Sequence, residues 1–169
     1  MKMEMQKITP CLWFNHGEAE EAARFYTGIF KNSKLGKILR YGREAGKQLG
    51  VPEDMVLTVE FTLDGQNFTA LNGAGSMQFK FNEAVSFQVY CETQNQIDHY
   101  WEKLGAGGDP KAQVCGWLKD KYGLSWQIVP TVLSKLLTDP DTEKSARVMR
   151  AMMQMKKLDI AELKCAYQG

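Results

Sequence analysis

The chain has 169 residues, 44% of them hydrophobic, with 21 Lys and Arg against 20 Asp and Glu for a formal net charge of +1. That length and apolar content fit one globular domain with a sizeable core, expected to run over 1–169. The balanced charge gives no electrostatic footprint for nucleic acid or an anionic membrane surface, and no apolar run approaches the roughly 18 residues needed to cross a bilayer.

Ile8 to Phe14 is an apolar strand candidate. Asn15 offers an N-cap with Glu18 three residues on, and Ala19, Ala22, Ala23, Tyr26, Ile29 and Phe30 follow at helical spacing. Ser33 to Gly36 reads as a break, Ile38 to Tyr41 as a strand, and the Gly-rich polar stretch Gly42 to Asp54 as a loop. Val56 to Leu63 alternates as a strand does, Asp64-Gly65 is a hairpin turn signal, and Gln66 to Leu71 returns.

A second copy of the pattern opens at AVSFQVYC, starting at Ala84. Thr93 and Gln96 form a T-x-x-Q capping box, and Ile97, Tyr100, Trp101 and Leu104 make a narrow apolar stripe. Gly105 and Gly107-Gly108 can close that helix. Three short strands are expected next, around Lys111 to Val114, Cys115 to Lys119 and Ser125 to Val129, the last two joined by a tight turn at Lys121-Tyr122-Gly123. Each half thus reads strand-helix-strand-strand-strand, an internal repeat, with module 1 at about 8–73 and module 2 at about 84–130. From 131 to 167 the pattern turns helical: Val132 to Leu137, then a helix starting at Asp139-Pro140 that carries Ala146, Met149 and Met153, then one capped by Asp159 and Glu162 with Ile160, Leu163 and Ala166 on its apolar side. This Met-rich tail packs on the sheet or on a second subunit, the alternative being a cofactor or partner groove.

Four segments, ITPCLWF (8–14), ALNGAGSMQFKFNEAVSF (70–87), CGWLKDKYGLSWQIVP (115–130) and RVMRAMMQMKKLDIAEL (147–163), together with the doubled βαβββ pattern, resemble the PhnB-like family of the vicinal oxygen chelate superfamily. That superfamily includes glyoxalase I, fosfomycin- and bleomycin-resistance proteins and extradiol dioxygenases, and the PhnB-like family is often labelled 3-demethylubiquinone-9 3-methyltransferase. The resemblance implies an α+β fold in which two βαβββ modules form curled mixed sheets around a cavity, with a C-terminal helical extension. It also implies a homodimer. Metal-dependent relatives draw their ligands from positions that fall here at Cys11, near Asn72, near Ala84 and at Gln127. Divalent sites of this kind want imidazole and carboxylate ligands. Alanine ligates nothing and neutral amides are weak donors, so no metal and no cofactor is expected.

Strand alternation puts Cys11 and Trp13 on one face, Ser86 and Gln88 on one face, and Ser125, Gln127 and Val129 on one face. A ligand cup lined by Cys11, Trp13, Asn72, Ser86, Gln88 and Gln127, with Phe79 and Phe81 at its mouth, is the resulting expectation, against the alternative of satisfied polar groups in a filled core. Candidate catalytic groups are Cys11, His16 and Gln127; Cys115 is a further thiol, and His99 lies mid-helix. Lys119-Asp120 reads either as an anion-positioning pair or as a solvated pair flanking the turn. The glycine clusters NGAGS (72–76) and GAGG (105–108) do not follow a strand and open a helix, which a dinucleotide or S-adenosylmethionine loop requires. Four tryptophans come with no basic stripe, against nucleic acid. The four cysteines contain no C-x-x-C pair and MKMEMQKITP lacks a signal h-region, so a cytoplasmic protein with reduced thiols is expected. The functional expectation is a metal-free binder of a small molecule; the alternatives are an enzyme of the superfamily acting on a small, aromatic or quinone-like metabolite, and an interaction module working through the tail.

Overall fold

The computed structural model describes residues 6–15, 17–74 and 80–169, so that two of the expected site residues, His16 and Phe79, lie outside the described residues. The chain divides into two compact units, Met1–Phe79 and Lys80–Gly169. Both are α+β, built on mixed sheets of four and three strands that do not close on themselves.

The first unit runs β1 (Cys11–Phe14), α1 (Ala19–Ile29), β2 (Lys34–Arg40), α2 (Arg43–Leu49), β3 (Val56–Leu63) and β4 (Gln66–Asn72). Its sheet has the order β1-β4-β3-β2, with β1 parallel to β4 and the other pairs antiparallel. The β3–β4 turn holds Asp64 and Gly65 at φ 46° and 81°, the left-handed pair that a two-residue hairpin needs. One face of the sheet buries Leu12, Phe14, Val59, Phe61, Phe68 and Ala70 beneath the Ala19, Ala22, Ala23, Tyr26 and Ile29 stripe of α1. Phe61 stacks between Tyr26 and Phe68 at centroid distances of 6.3 and 5.3 Å. Two expectations fail here. Gly42 to Asp54 is not all loop, because Arg43–Leu49 winds into α2, closed by left-handed Gly50 at φ 67°. Nor is α1 capped from its own sequence. Glu18 occupies the N-cap position with no side-chain cap bond, and the Ala19 N–H donates instead to Asn72 Oδ1 at 2.9 Å.

The second unit runs β5 (Ser86–Cys91), α3 (Gln94–Gly105), a 3-10 turn (Pro110–Ala112), β6 (Trp117–Lys119), β7 (Ser125–Pro130), α4 (Thr131–Leu137), α5 (Thr142–Gln154) and α6 (Ile160–Gln168). The sheet order is β5-β7-β6, parallel then antiparallel. The expected capping box on α3 is present: Thr93 Oγ1 accepts from the Gln96 N–H, and Gln96 Oε1 accepts from the Thr93 N–H. The strand expected over Lys111 to Val114 is not formed. Pro110 has no N–H to give a ladder, the chain makes a 3-10 turn, and only a bridge from Val114 to Trp117 remains. Between those two, Cys115 and Gly116 sit at φ 49° and 83° and make a second tight hairpin turn.

Asp120 is not a solvated turn residue. It is 2% exposed; Oδ1 accepts from the Tyr122 and Leu124 N–H groups at 2.9 and 3.0 Å, and Oδ2 accepts from Trp126 Nε1 at 2.9 Å. This carboxylate therefore sets the turn and locks Trp126 into the core. In the tail, α5 is capped by Asp141 rather than by Asp139-Pro140, and Asp159 caps α6 as expected. Leu133, Leu136, Val148, Met155, Leu158 and Leu163 form the tail's core, while Met149 and Met153 face solvent.

Candidate functional site

The sheet of the second unit has a covered and an open face. Leu118, Trp126 and Ile128 are buried on the side of α3, which contributes Ile97 and Leu104. By alternation the opposite face carries Ser86, Gln88 and Tyr90 from β5, Ser125, Gln127 and Val129 from β7, and Trp117 and Lys119 from β6. The strand register sets Ser86 beside Ser125 and Gln88 beside Gln127. A chain of side-chain hydrogen bonds crosses this face. Tyr90 Oη donates to Gln88 Oε1 at 2.8 Å, Gln88 Nε2 donates to Gln127 Oε1 at 3.3 Å, and Gln127 Nε2 donates to Ser86 Oγ at 2.8 Å. The expected lining residues Ser86, Gln88 and Gln127 are thus brought together, and Tyr90 joins them. Tyr90 was legible from its position two residues after Gln88 on the same strand face.

Beside this strip lies a cavity of about 440 Å³, lined by Glu83, Lys111, Ala112, Val114, Cys115, Trp117, Leu118, Lys119 and Ser125, all from the second unit. Lys119 is ion-paired with Glu83, whose carboxyl is held below its usual range by that hydrogen bond. Ser125 is 1% exposed, and its hydroxyl has no hydrogen-bond partner among the described residues.

In the first unit, Cys11 and Trp13 share the open face, as expected. Trp13 lies over Gly73, where a Cβ would come within 2.2 Å of the indole nitrogen. Asn72 is engaged within the first unit. It is 1% exposed, its Oδ1 takes the α1 N-terminus, its Nδ2 donates to the Val56 carbonyl at 2.9 Å, and its own carbonyl accepts from Tyr41 Oη at 3.0 Å. Its side-chain amide is thus buried and hydrogen-bonded within the fold. The register adds residues that sequence reasoning passed over: Thr69 lies between Cys11 and Glu60 across three strands, and Thr58 and Thr62 flank Glu60 on the same face.

Residues 6–129 match the family described as 3-demethylubiquinone-9 3-methyltransferase. The chain belongs to that family. A PhnB protein from Bacillus cereus, carrying the same methyltransferase description, is 38% identical, covers 75% of this chain and all of its own, and superposes with a TM-score of 0.64. Protein PA1353 from Pseudomonas aeruginosa is 16% identical, with 75% and 98% coverage and a TM-score of 0.56. A glyoxylase/bleomycin resistance protein/dioxygenase domain from Frankia sp. EAN1pec is 15% identical, with 75% and 93% coverage and a TM-score of 0.47. No curated protein matches.

Four positions, Cys11, Asn72, Ala84 and Gln127, were expected to correspond to metal ligands of relatives. Asn72 Oδ1 is spent on a helix N-terminus, the Gln127 amide is bonded to Ser86 and Gln88, and Ala84 has no donor atom. Among the described residues no group of three or more His, Cys, Asp or Glu side chains is placed to hold a metal ion. Burial raises the Cys11 thiol above its usual value and pushes Cys91 to about 11, so neither is a ready thiolate at neutral pH. The GAGG stretch 105–108 closes α3 instead of opening a helix: Gly107 is left-handed at φ 76°, and a Cβ at Gly108 would come within 2.0 Å of the Lys119 carbonyl oxygen. Phe81 is half-buried ahead of β5. No helix among the described residues is long and apolar enough to cross a membrane.

Proposed function

We propose that this PhnB-like chain binds a small molecule on the open face of its second sheet, without a metal ion, and performs no methyl transfer through S-adenosylmethionine. The observation that carries this reading is the hydrogen-bonded strip Tyr90–Gln88–Gln127–Ser86 running beside a 440 Å³ cavity. Small-molecule sites combine an apolar wall with a few convergent polar groups, and amides that are both donor and acceptor can exchange their mutual bonds for bonds to a ligand. Reduced thiols and a cytoplasmic location belong to the same reading, supported by four free cysteines. A homodimer belongs to it as well, supported by exposed apolar side chains such as Leu39, Leu49, Val85 and Met153.

The test is a ligand screen by thermal shift and heteronuclear NMR on protein purified without chelator. A binder that perturbs the Gln88 and Gln127 side-chain amides is expected. Gln127→Ala should weaken it about tenfold, the cost of about one hydrogen bond to a polar ligand group. EDTA should leave affinity unchanged. Stoichiometric bound metal, or loss of binding on chelation, defeats the metal-free reading. Light scattering that returns a monomer at working concentration removes the dimer.

A further inference from the structure

Resting on the reading of this face as a small-molecule site, we propose that the cavity between β6 and the Pro110–Ala112 turn takes a small aromatic carboxylate. Three observations converge on that class. First, Ser125 lines the cavity and is 1% exposed, yet its hydroxyl finds no partner among the described residues. Buried hydroxyls are nearly always bonded, and one that is not gains a bond when its side chain turns to meet a polar ligand atom. Second, the charged groups around the cavity are Lys111, Lys119 and Glu83, two ammonium groups against one carboxylate. Glu83 is already paired with Lys119, which leaves the positive charge of Lys111 for an incoming anion. Third, the remaining wall is Trp117 with Ala112, Val114 and Leu118, an apolar surface with one large aromatic plane.

A carboxylate with a ring behind it satisfies all three at once. Its oxygens accept from the Ser125 hydroxyl and the Lys111 ammonium, and its ring lies against Trp117. A cavity of about 440 Å³ sits within the size range of small-ligand sites and holds a substituted single ring. A cationic ligand meets like charge here. A neutral ring leaves the excess charge unused, and a bare phosphate has no apolar body for Trp117.

Benzoate, its neutral isostere benzamide, and cyclohexanecarboxylate, titrated calorimetrically into the full chain, separate these classes. Site-resolved alkylation of Cys115, which lines the cavity, and of Cys165, which does not, reports location. The expected result is benzoate binding about tenfold tighter than benzamide and measurably tighter than cyclohexanecarboxylate, with Cys115 protected and Cys165 unaffected. Lys111→Met, on an exposed turn, should erase the benzoate preference while leaving benzamide binding in place. Ser125→Ala should weaken benzoate while raising the melting temperature of the free protein, because an unpartnered buried hydroxyl is removed. Equal affinity for benzoate and benzamide, or benzoate binding that leaves Cys115 unprotected, overturns the proposal. So does a screen in which only neutral ligands perturb Gln88 and Gln127; that result leaves the small-molecule reading standing. If no ligand of any class perturbs this face, both fall.

Discussion

Asn72 illustrates how one residue type can carry opposite meanings. On strand alternation and resemblance it belongs to a ligand cup, yet its amide joins the first turn of α1 to the start of β3, between chain positions 53 and 16 residues away. No local signal announces a cap supplied from so far along the chain, which is why the nearer Asn15 and Glu18 drew attention instead. Asn72→Ala should strand two backbone groups and destabilise the fold by about 3 kcal/mol, read by urea denaturation. A pocket residue would show lost affinity at unchanged stability. Cys91 gives a second residue-level expectation. Its folded thiol ionises at about 11, against about 8.5 when the chain unfolds. Stability tied to the neutral thiol is therefore complete below 8.5 and is lost as pH rises from there towards 11. Denaturation midpoints followed across that window should fall, and Cys91→Ala should flatten the slope.

At the level of elements, regular features with local causes were readable. The capping box on α3, the Asp64-Gly65 hairpin and the cap at Asp159 depend on residues three or fewer apart, and all three form. Features decided by tertiary packing were not. The strand expected near Lys111 becomes a 3-10 turn because Asp109 caps the Lys111 N–H and Pro110 has no N–H of its own. The stretch after Gly42 hides a two-turn helix behind glycines that weaken any helical pattern. Thr93→Ala should cost about 1 kcal/mol, the usual worth of an N-cap, measurable by thermal denaturation. Helix α3 is also tied to the segment leading into α6. Lys157 Nζ donates to Asp98 Oδ1, Gln94 Nε2 donates to the Leu158 carbonyl, and Gln94 Oε1 accepts from the Ile160 N–H. The Lys157 bond, then that from Gln94, holds the Asp98 carboxyl below its usual range. Its contribution is present above the ordinary carboxylate value near 4 and is lost as pH falls through the lowered one, so Asp98→Asn should lessen the acid sensitivity of unfolding below about pH 4.

Taken as a whole molecule, the duplicated strand–helix pattern was legible because hydrophobic periodicity repeats in both halves, and the two units follow it except for the added α2 in the first and the missing edge strand in the second. Less legible was the work of the tail. Methionines 149 and 153, carried by the helix of the Met-rich tail, are exposed, and the core is made by Leu133, Leu136, Val148, Met155, Leu158 and Leu163. That core is continuous with the sheet unit through backbone bonds, since the Cys115 and Gly116 N–H groups donate to the Met155 and Lys156 carbonyls at 2.9 and 2.8 Å. Ending the chain at Pro130 should therefore leave the second unit unfolded or molten, which near-ultraviolet circular dichroism would register as lost aromatic signal.

The same pair of backbone bonds has a consequence for control. Cys115 belongs to the wall of the cavity, and its peptide is held by the residues immediately after α5. Whatever displaces that helix end, a neighbouring subunit or a substitution far from any ligand, drags the cavity wall with it. Under the proposed binding mode, affinity can therefore be tuned from the helices that follow Pro130 without altering a single group that touches the ligand.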